Sequence, residues 1–371
     1  MMVTVKTGPV PEGRLRSLDA LRGADMILIM GVGQLFRSLD RSYENSFFGL
    51  LAKQFEHTAW QGFHLYDMIF PLFIFIVGVS MPFALSRRIR GGQGRRTIYL
   101  HIVKRSLLLF LFGLVFNGLL DFDFSDFGYT GVLQRISIAY FFSALIVLNT
   151  NPGKQAIIAG GLLILYWLLM MLVPVPGYGA GVITPEGNLH AYLDRLLLPG
   201  KLYNVSYDED GLLQQVSSVA VCLAGVQAGH WLRGSRSQNH KALGLVAGGS
   251  ACIAIALVWN LHFPVIFRLW SSSFAMLTIG LSAILLALFY WIIDVRGHRR
   301  WAFPFVVVGM NSITIYMVQA LFDFGIIAGI FVHGFAGYLG SFEPAFLAIC
   351  LVAVKWLFLY FLYVQKIFLK V

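Results

Sequence analysis

The sequence predicts an all-α polytopic membrane protein of about ten transmembrane helices in one bundle. The bundle forms a single domain over residues 1–371, with both ends of the chain in the cytoplasm. Three observations carry this. Apolar residues make up 58% of the 371 positions and charged residues only 12%, against roughly half and a quarter in a soluble domain. Ten runs approach the ~20 apolar residues that a helix needs to cross a bilayer. Lys and Arg are unequally shared between the two sets of connecting loops. A chain with a mean hydropathy of +0.74 cannot cover itself with polar surface in water, which excludes a disordered, coiled-coil or nucleic-acid-binding protein. Its net charge of +10 then belongs to membrane flanks, and the lipid bilayer is the first expected partner.

Taken in order, residues 1–20 are polar and form a cytoplasmic segment without the apolar stretch of a cleavable signal peptide. The apolar runs follow at roughly 23–39, 64–86, 103–120, 131–149, 155–174, 212–232, 242–260, 272–293, 302–320 and 344–365. Helices are expected because lipid leaves no partner for a strand edge. A short run at 325–340 holds five glycines and reads as re-entrant or interfacial. Residues 175–211, rich in Pro and Gly, form the longest segment outside the membrane and suit a binding lid. Cys222, Cys252 and Cys350 lie inside apolar runs without a CxxC or Cys/His cluster, so neither a disulfide framework nor a metal site is expected. No phosphate-binding loop and no internal repeat is visible.

With the N-terminus in the cytoplasm, 20 of the 28 Lys and Arg residues flank the cytoplasmic ends of the spans. Seven fall on the other side, and Lys355 lies within the last span. An even number of spans then returns the C-terminus to the cytoplasm, and the positive-inside rule orients the protein in its membrane.

Polar residues in an apolar setting mark chemistry. The densest group runs from Glu56 to Asp67. If the helix of the second span begins near His57, then His57, Trp60 or Gln61, His64 and Asp67 form one stripe running into the membrane. A histidine is the side chain best placed to accept a proton near neutral pH, and Glu56 or Asp67 would hold its tautomer. Interfacial anchoring by His and Trp is the rival reading of the same spacing. His57 and His64 are seven apart, unlike the i, i+4 pair of a helical zinc site. Asp25, Arg135, Asn311 and Lys355 are the other polar residues within spans. Asp25 can pair with Arg22, Arg135 can snorkel or hold an anionic or carbonyl group, and Lys355 points into the bundle or pairs with a carboxylate. The cytoplasmic basic groups fix topology and touch anionic lipid, or attract a phosphorylated ligand. Lys104 and Arg105 sit nearest a cavity mouth.

Several stretches occur together and in order. They are RLRSLDALRG at 14–23, HTAWQGFHLYDMIFPLFIF at 57–75, GVLQR at 131–135, YLDRLLL at 192–198, YDEDG at 207–211, LAGVQAG at 223–229 and GMNSI at 309–313, with KIF at 366–368. In these the chain resembles the transmembrane acetyltransferases typified by lysosomal heparan-α-glucosaminide N-acetyltransferase, more particularly their bacterial, NagX-like branch with the DUF5009 domain. The likeness runs from residue 14 to the end. It implies one helical bundle that moves an acetyl group from cytosolic acetyl-CoA, a co-substrate, to an amino sugar of glucosamine type on the far side. It implies that His57, in a His-x-x-Trp-x-Gly frame, is the catalytic histidine, and that Arg135 and Asn311 line the central cavity and support the oxyanion. Relatives often carry Asn at the outer end of span one, where this chain offers Gln34, and Asn where it has Gln61. Glu56, Trp60, Gln61 and Asp67 would face the acceptor. Lys104, Arg105, Arg14 and Arg16 would meet the phosphates of acetyl-CoA. A second copy in a homodimer is a further expected partner. Two rival classes stand beside this reading. One is a transporter or flippase for a sugar or sugar–lipid precursor, the other a non-catalytic membrane partner or sensor.

Overall fold

A computed structural model describes residues 15–43, 46–124 and 127–369. Arg14 lies outside them. The regular structure of the described residues is all helical, with only isolated β-bridges in the loops.

The first span is a broken helix. α1 (Arg16–Ile27) passes through a π-turn (Leu28–Val32) into α2 (Gly33–Tyr43). The break is at Gly31, whose φ of 144° favours glycine. The neighbouring Met30 carbonyl receives Lys355 Nζ at 2.8 Å, and the same ammonium reaches Gln319 Oε1 at 3.2 Å. Lys355 thus points into the bundle and satisfies backbone that the break left open. Asp25 does not pair with Arg22. Arg22 reaches Ser80 and Asp19, while Asp25 is buried with neither oxygen hydrogen-bonded among the described residues.

After α3 (Ser46–Gln54), an irregular stretch leads into α4 (Ile69–Arg90), which is preceded by a 3-10 turn (Leu65–Met68). α5 (Arg95–Phe116), α6 (Val132–Asn149) and α7 (Pro152–Leu172) follow as long apolar helices. The short α8 (Leu189–Leu197) lies in the long loop. α9 (Gln214–Arg233) is central, packed against α4, α6, α7 and α11 (Ser272–Phe289), and α10 (Gln238–Trp259) packs on α11. α12 (Phe303–Met310) and α13 (Ser312–Leu321) meet at Asn311 with a 69° bend. α14 (Phe324–Ala336) and α15 (Glu343–Val364) complete the bundle.

Among the described residues, seven helical stretches are long and apolar enough to cross a membrane, and the bent α12–α13 pair makes an eighth. The other two expected spans are also helical. They are the broken α1–α2 and the 20-residue α9. α9 reads as less apolar because it carries Gln214, Gln215, Ser217 and Ser218 in its first turns. α14 has 13 residues, about 20 Å of helix against ~30 Å of hydrocarbon. It is too short to span alone.

Two helix crossings depend on glycine. A Cβ on Gly78 of α4 would lie 2.0 Å from the Cys222 carbonyl oxygen of α9, and one on Gly225 would lie 2.1 Å from that of Phe75. A Cβ on Gly23 of α1 would lie 1.8 Å from the Phe305 carbonyl oxygen, and one on Gly309 of α12 would lie 1.9 Å from that of Asp19. Small residues let apolar helices approach to backbone contact, which is the main packing gain available in lipid. Two of the stretches quoted above, 223–229 and 309–313, therefore do packing work.

Loops sort to two ends. Hydrogen bonds from Arg95 to the Leu148 carbonyl and from Gln227 to the Pro152 carbonyl tie one, basic end. The bridges Gln61–Ile266 and Gly128–Gly200 and the Trp60–Ile183 hydrogen bond tie the other, loop-rich end.

Candidate functional site

The loop-rich end begins at the entry to α4. The stripe expected on a helix starting at His57 does not form, because residues 57–64 are not helical. Gly62 has a φ of 115° and its N–H bonds the Val265 carbonyl at 2.9 Å, which holds the chain away from a helical path. His64 is extended (φ −113°, ψ 159°) and caps the 3-10 turn.

The irregular path achieves what a helix would not. Asp67 is fully buried. Its Oδ2 accepts the His64 N–H at 2.9 Å and the Thr58 hydroxyl at 3.2 Å. Its Oδ1 lies 2.7 Å from His57 Nδ1. A carboxylate at the start of a helix is favoured by the helix dipole. With Nδ1–H donating to the Asp67 carboxylate, Nε2 of a neutral ring is left with its lone pair. The ring is stacked on Phe267 (4.3 Å between centroids, 6°) and meets the edge of Tyr66 at 4.8 Å. This is the arrangement of a general base whose tautomer is set by a buried acid.

His57 lines a cavity of about 210 Å³. Its walls are mainly apolar, with Met26, Phe70 and Ile136 among them, and its polar groups are His57, Tyr66, Glu209, Asp210 and Tyr316. A second cavity of about 580 Å³ adjoins it, lined by polar groups including Asn117, Thr130, Lys201, Tyr203 and Asp208. Val132, Glu209, Asp210 and Tyr316 line both.

The shared wall is an acidic arm, Tyr207–Gly211, held by buried partners. Arg135 is completely buried. Its Nε lies 3.1 Å from Asp210 Oδ1, and its Nη2 donates to the Glu209 carbonyl at 2.6 Å and to Gln214 Oε1. Its guanidinium lies 4.5 Å from the Trp270 ring centroid. Arg268 pairs with the Glu209 carboxylate. Below the arm, Asp194 accepts the N–H groups of Asp208 (3.0 Å) and Leu212 (3.1 Å), while Asp208 accepts those of Tyr203 and Asp210. His190 Nε2 faces the Asp208 carbonyl at 3.0 Å and Asp194 Oδ2 at 3.3 Å. Burial pushes His190 down to about 3 and the Asp194 carboxyl up to about 7, the two backbone N–H groups opposing the latter. Burial also raises Asp210, with Arg135 first among the groups pulling it back. A side chain at Gly211 would meet Asp194 and His190 at 2.1 and 2.3 Å, so the arm packs directly on this pair.

The other expected site residues are dispersed. Trp60 donates to the Ile183 carbonyl at 2.9 Å and stands edge-on to Tyr207, joining the His57 segment to the long loop. Gln61 is exposed and bridges to Ile266. Glu56 is exposed, and its backbone carbonyl faces His64 Nδ1 at 2.9 Å. Gln34 is exposed on α2 and lines neither cavity. Asn311 is buried at the α12–α13 bend, donates to the Ile367 carbonyl at 3.0 Å and lines neither cavity. Lys104 and Arg105 lie in the third turn of α5 and Arg16 opens α1. Arg105 sits 4.4 Å from the Tyr140 ring centroid and Lys104 is exposed. Tyr66, Phe267, Glu209, Asp210 and Tyr316 were not singled out by sequence. The signal available for two of them was three consecutive acids at 208–210 in a chain with few charges.

Residues 14–165 match the family model described as "Domain of unknown function (DUF5009)". Heparan-alpha-glucosaminide N-acetyltransferase of Homo sapiens is 28% identical over 370 residues, covering 84% of this chain. That of Mus musculus is 26% identical over 364 residues, covering 82%. The chain is similar to these N-acetyltransferases over most of its own length. It spans about half of their length, 53% in each case.

Proposed function

We propose that this protein is a membrane-embedded acetyltransferase of a bacterial inner membrane, moving an acetyl group from acetyl-CoA to the amine of a glucosamine-type sugar. The carrying observation is the 2.7 Å contact between His57 Nδ1 and the buried Asp67, at a cavity wall in a chain similar to an N-acetyltransferase. His57 Nε2 would take the proton of the acceptor amine as its nitrogen attacks the thioester carbonyl. The C–S bond would break and the proton pass to the departing sulfur. In a two-step variant His57 itself carries the acetyl group. Arg135, completely buried and lining neither cavity, does not meet the expected oxyanion role and keeps a positioning role behind the acidic arm. For Asn311 and Gln34 we keep only a supporting role in the bundle.

The charge distribution supports acetyl-CoA entering at the basic end, its phosphates near Arg16, Lys104 and Arg105, and the acceptor arriving at the loop-rich, periplasmic end. The pantetheine arm would thread the bundle toward His57. In sealed, oriented proteoliposomes, acetyl-CoA on the basic face should acetylate an impermeant amino sugar on the other. His57→Ala should abolish transfer while the protein still inserts, and His64→Ala should cost less. Wild-type turnover in the His57 variant would sink the mechanism. Activity only with both substrates on one face would sink the transmembrane route, and sugar uptake without acetylation would favour a transporter.

A further inference from the structure

We propose that Asp210, with Glu209 beside it, receives the acceptor as a cationic primary amine, and that the larger polar chamber holds the remainder of that molecule. The inference rests on acetyl transfer at His57 and assigns it an acceptor subsite.

The geometry points there from three directions. The two cavities share Glu209, Asp210, Tyr316 and Val132 in their walls, so a molecule in the outer chamber has these groups between it and the His57 chamber. Their linings differ in degree, the outer one carrying the larger share of polar surface. The inner chamber is walled mainly by apolar side chains and suits an acyl group, whereas the outer one offers Asn117, Thr130, Lys201 and Tyr203 to a hydroxyl-rich body. The Asp210 carboxylate is also set to receive a second cation. Oδ1 is held by Arg135 Nε at 3.1 Å. The carboxylate stays partly open, at 17% of its side-chain surface. Arg135 and Arg268 hold the arm from behind and beside, so its position does not depend on a ligand. His57 and Asp210 both line the inner cavity.

An ammonium at Asp210 makes a charge-assisted bond that a neutral hydroxyl at the same place cannot match. A hydroxyl-only sugar would leave the half-buried carboxylate without a cationic partner on that side, and this discriminates against it. The ammonium first loses one proton to water in the outer chamber. As the C–N bond then forms and the C–S bond breaks, a second proton passes through His57 Nε2 to the sulfur of CoA. The products are the amide, the free thiol and one released proton.

The test uses the full chain in lipid nanodiscs, with glucosamine and glucose as probes. The wild type should bind glucosamine at least about tenfold more tightly than glucose. Asp210→Asn should lose that preference and raise the glucosamine KM by a similar factor. Its affinity for acetyl-CoA should stay within about twofold, since the donor does not use this group. Asp210→Glu should keep the preference. Equal binding of the two sugars by the wild type overturns the proposal. So does an Asp210→Asn protein that binds acetyl-CoA normally and still prefers glucosamine. If the loss of the Arg135 pair unfolds that variant, the wild-type comparison and Glu209→Gln, which should weaken the preference, decide alone. A wild type that prefers glucosamine through Asp210 but transfers no acetyl group would retain the subsite and reject the transfer reading. Transfer indifferent to Asp210 would do the reverse.

Discussion

His57 and Asp67 are ten positions apart and meet only because residues 57–64 are irregular. The acid does two jobs, orienting the histidine and capping the start of α4. Asp67→Asn keeps the shape but offers an amide donor to a nitrogen that already carries a proton. We expect kcat to fall about 100-fold or more with KM little changed, as is typical when a base loses the partner that sets its tautomer. Single-turnover acetylation assays would check this, and undiminished kcat would reject the dyad. Lys355 invites a second test at this scale. Lys355→Met should leave the Met30 carbonyl unbonded at the helix break, at a cost of about 1–3 kcal/mol. Thermal unfolding in detergent would measure it, and an unchanged midpoint would deny the role.

Among the elements, the α4–α9 crossing and the α8–arm unit do most to build the site. Gly225→Ala places a methyl against the Phe75 carbonyl oxygen, where the ideal separation is 2.1 Å. The helices must part, and overpacking of this kind costs about 1–3 kcal/mol. The α8 unit predicts a pH response. His190 is depressed to about 3 by burial, so its contribution to stability is full above its unfolded value near ~6.5 and is lost as pH falls toward 3. Asp194 is raised to about 7, so its contribution is full below ~4 and lost as pH rises through 7. Between ~4 and ~6.5 the two slopes oppose each other. His190→Gln keeps a donor to the Asp208 carbonyl and removes the first slope. The variant's midpoint should therefore fall steadily from about pH 4 to 7, where the wild type is flatter. Parallel curves would mean that the pair does not titrate as described.

For the whole molecule, the division into a basic end and a loop-rich end carries the functional reading. Cysteines placed at 88–97 or 233–241 should resist impermeant labels applied to intact cells, and those at 40–56 or 178–205 should react. Labelling at Gln93 from outside would overturn the orientation. The distance between the ends matters for chemistry, because a donor held at the basic end must reach ~30 Å through hydrocarbon to His57.

Much of this was legible in the sequence because it depends on local composition. Apolar runs of the right length, loop charge and the order of the quoted stretches determined a helical membrane bundle and drew attention to His57 and Asp67. Hydropathy could not show where a helix breaks. Gly31 and Asn311 interrupt runs that read as continuous, and α9 reads as weak because a central helix can carry Gln and Ser once other helices cover it. The stripe from His57 to Asp67 was read with the period of a helix, whereas the contact is made by a cap and a bridge to Val265. Only the tertiary structure decided that the acidic arm at 207–211 faces His57. These residues are about 150 positions apart. What joins them is a set of buried pairs, Arg135 with Asp210 and Asp194 with the arm's backbone, and pairing across such separations leaves no period in the chain. Low-dielectric burial rewards those partners strongly once the helices are packed, and that reward exists only in the folded bundle.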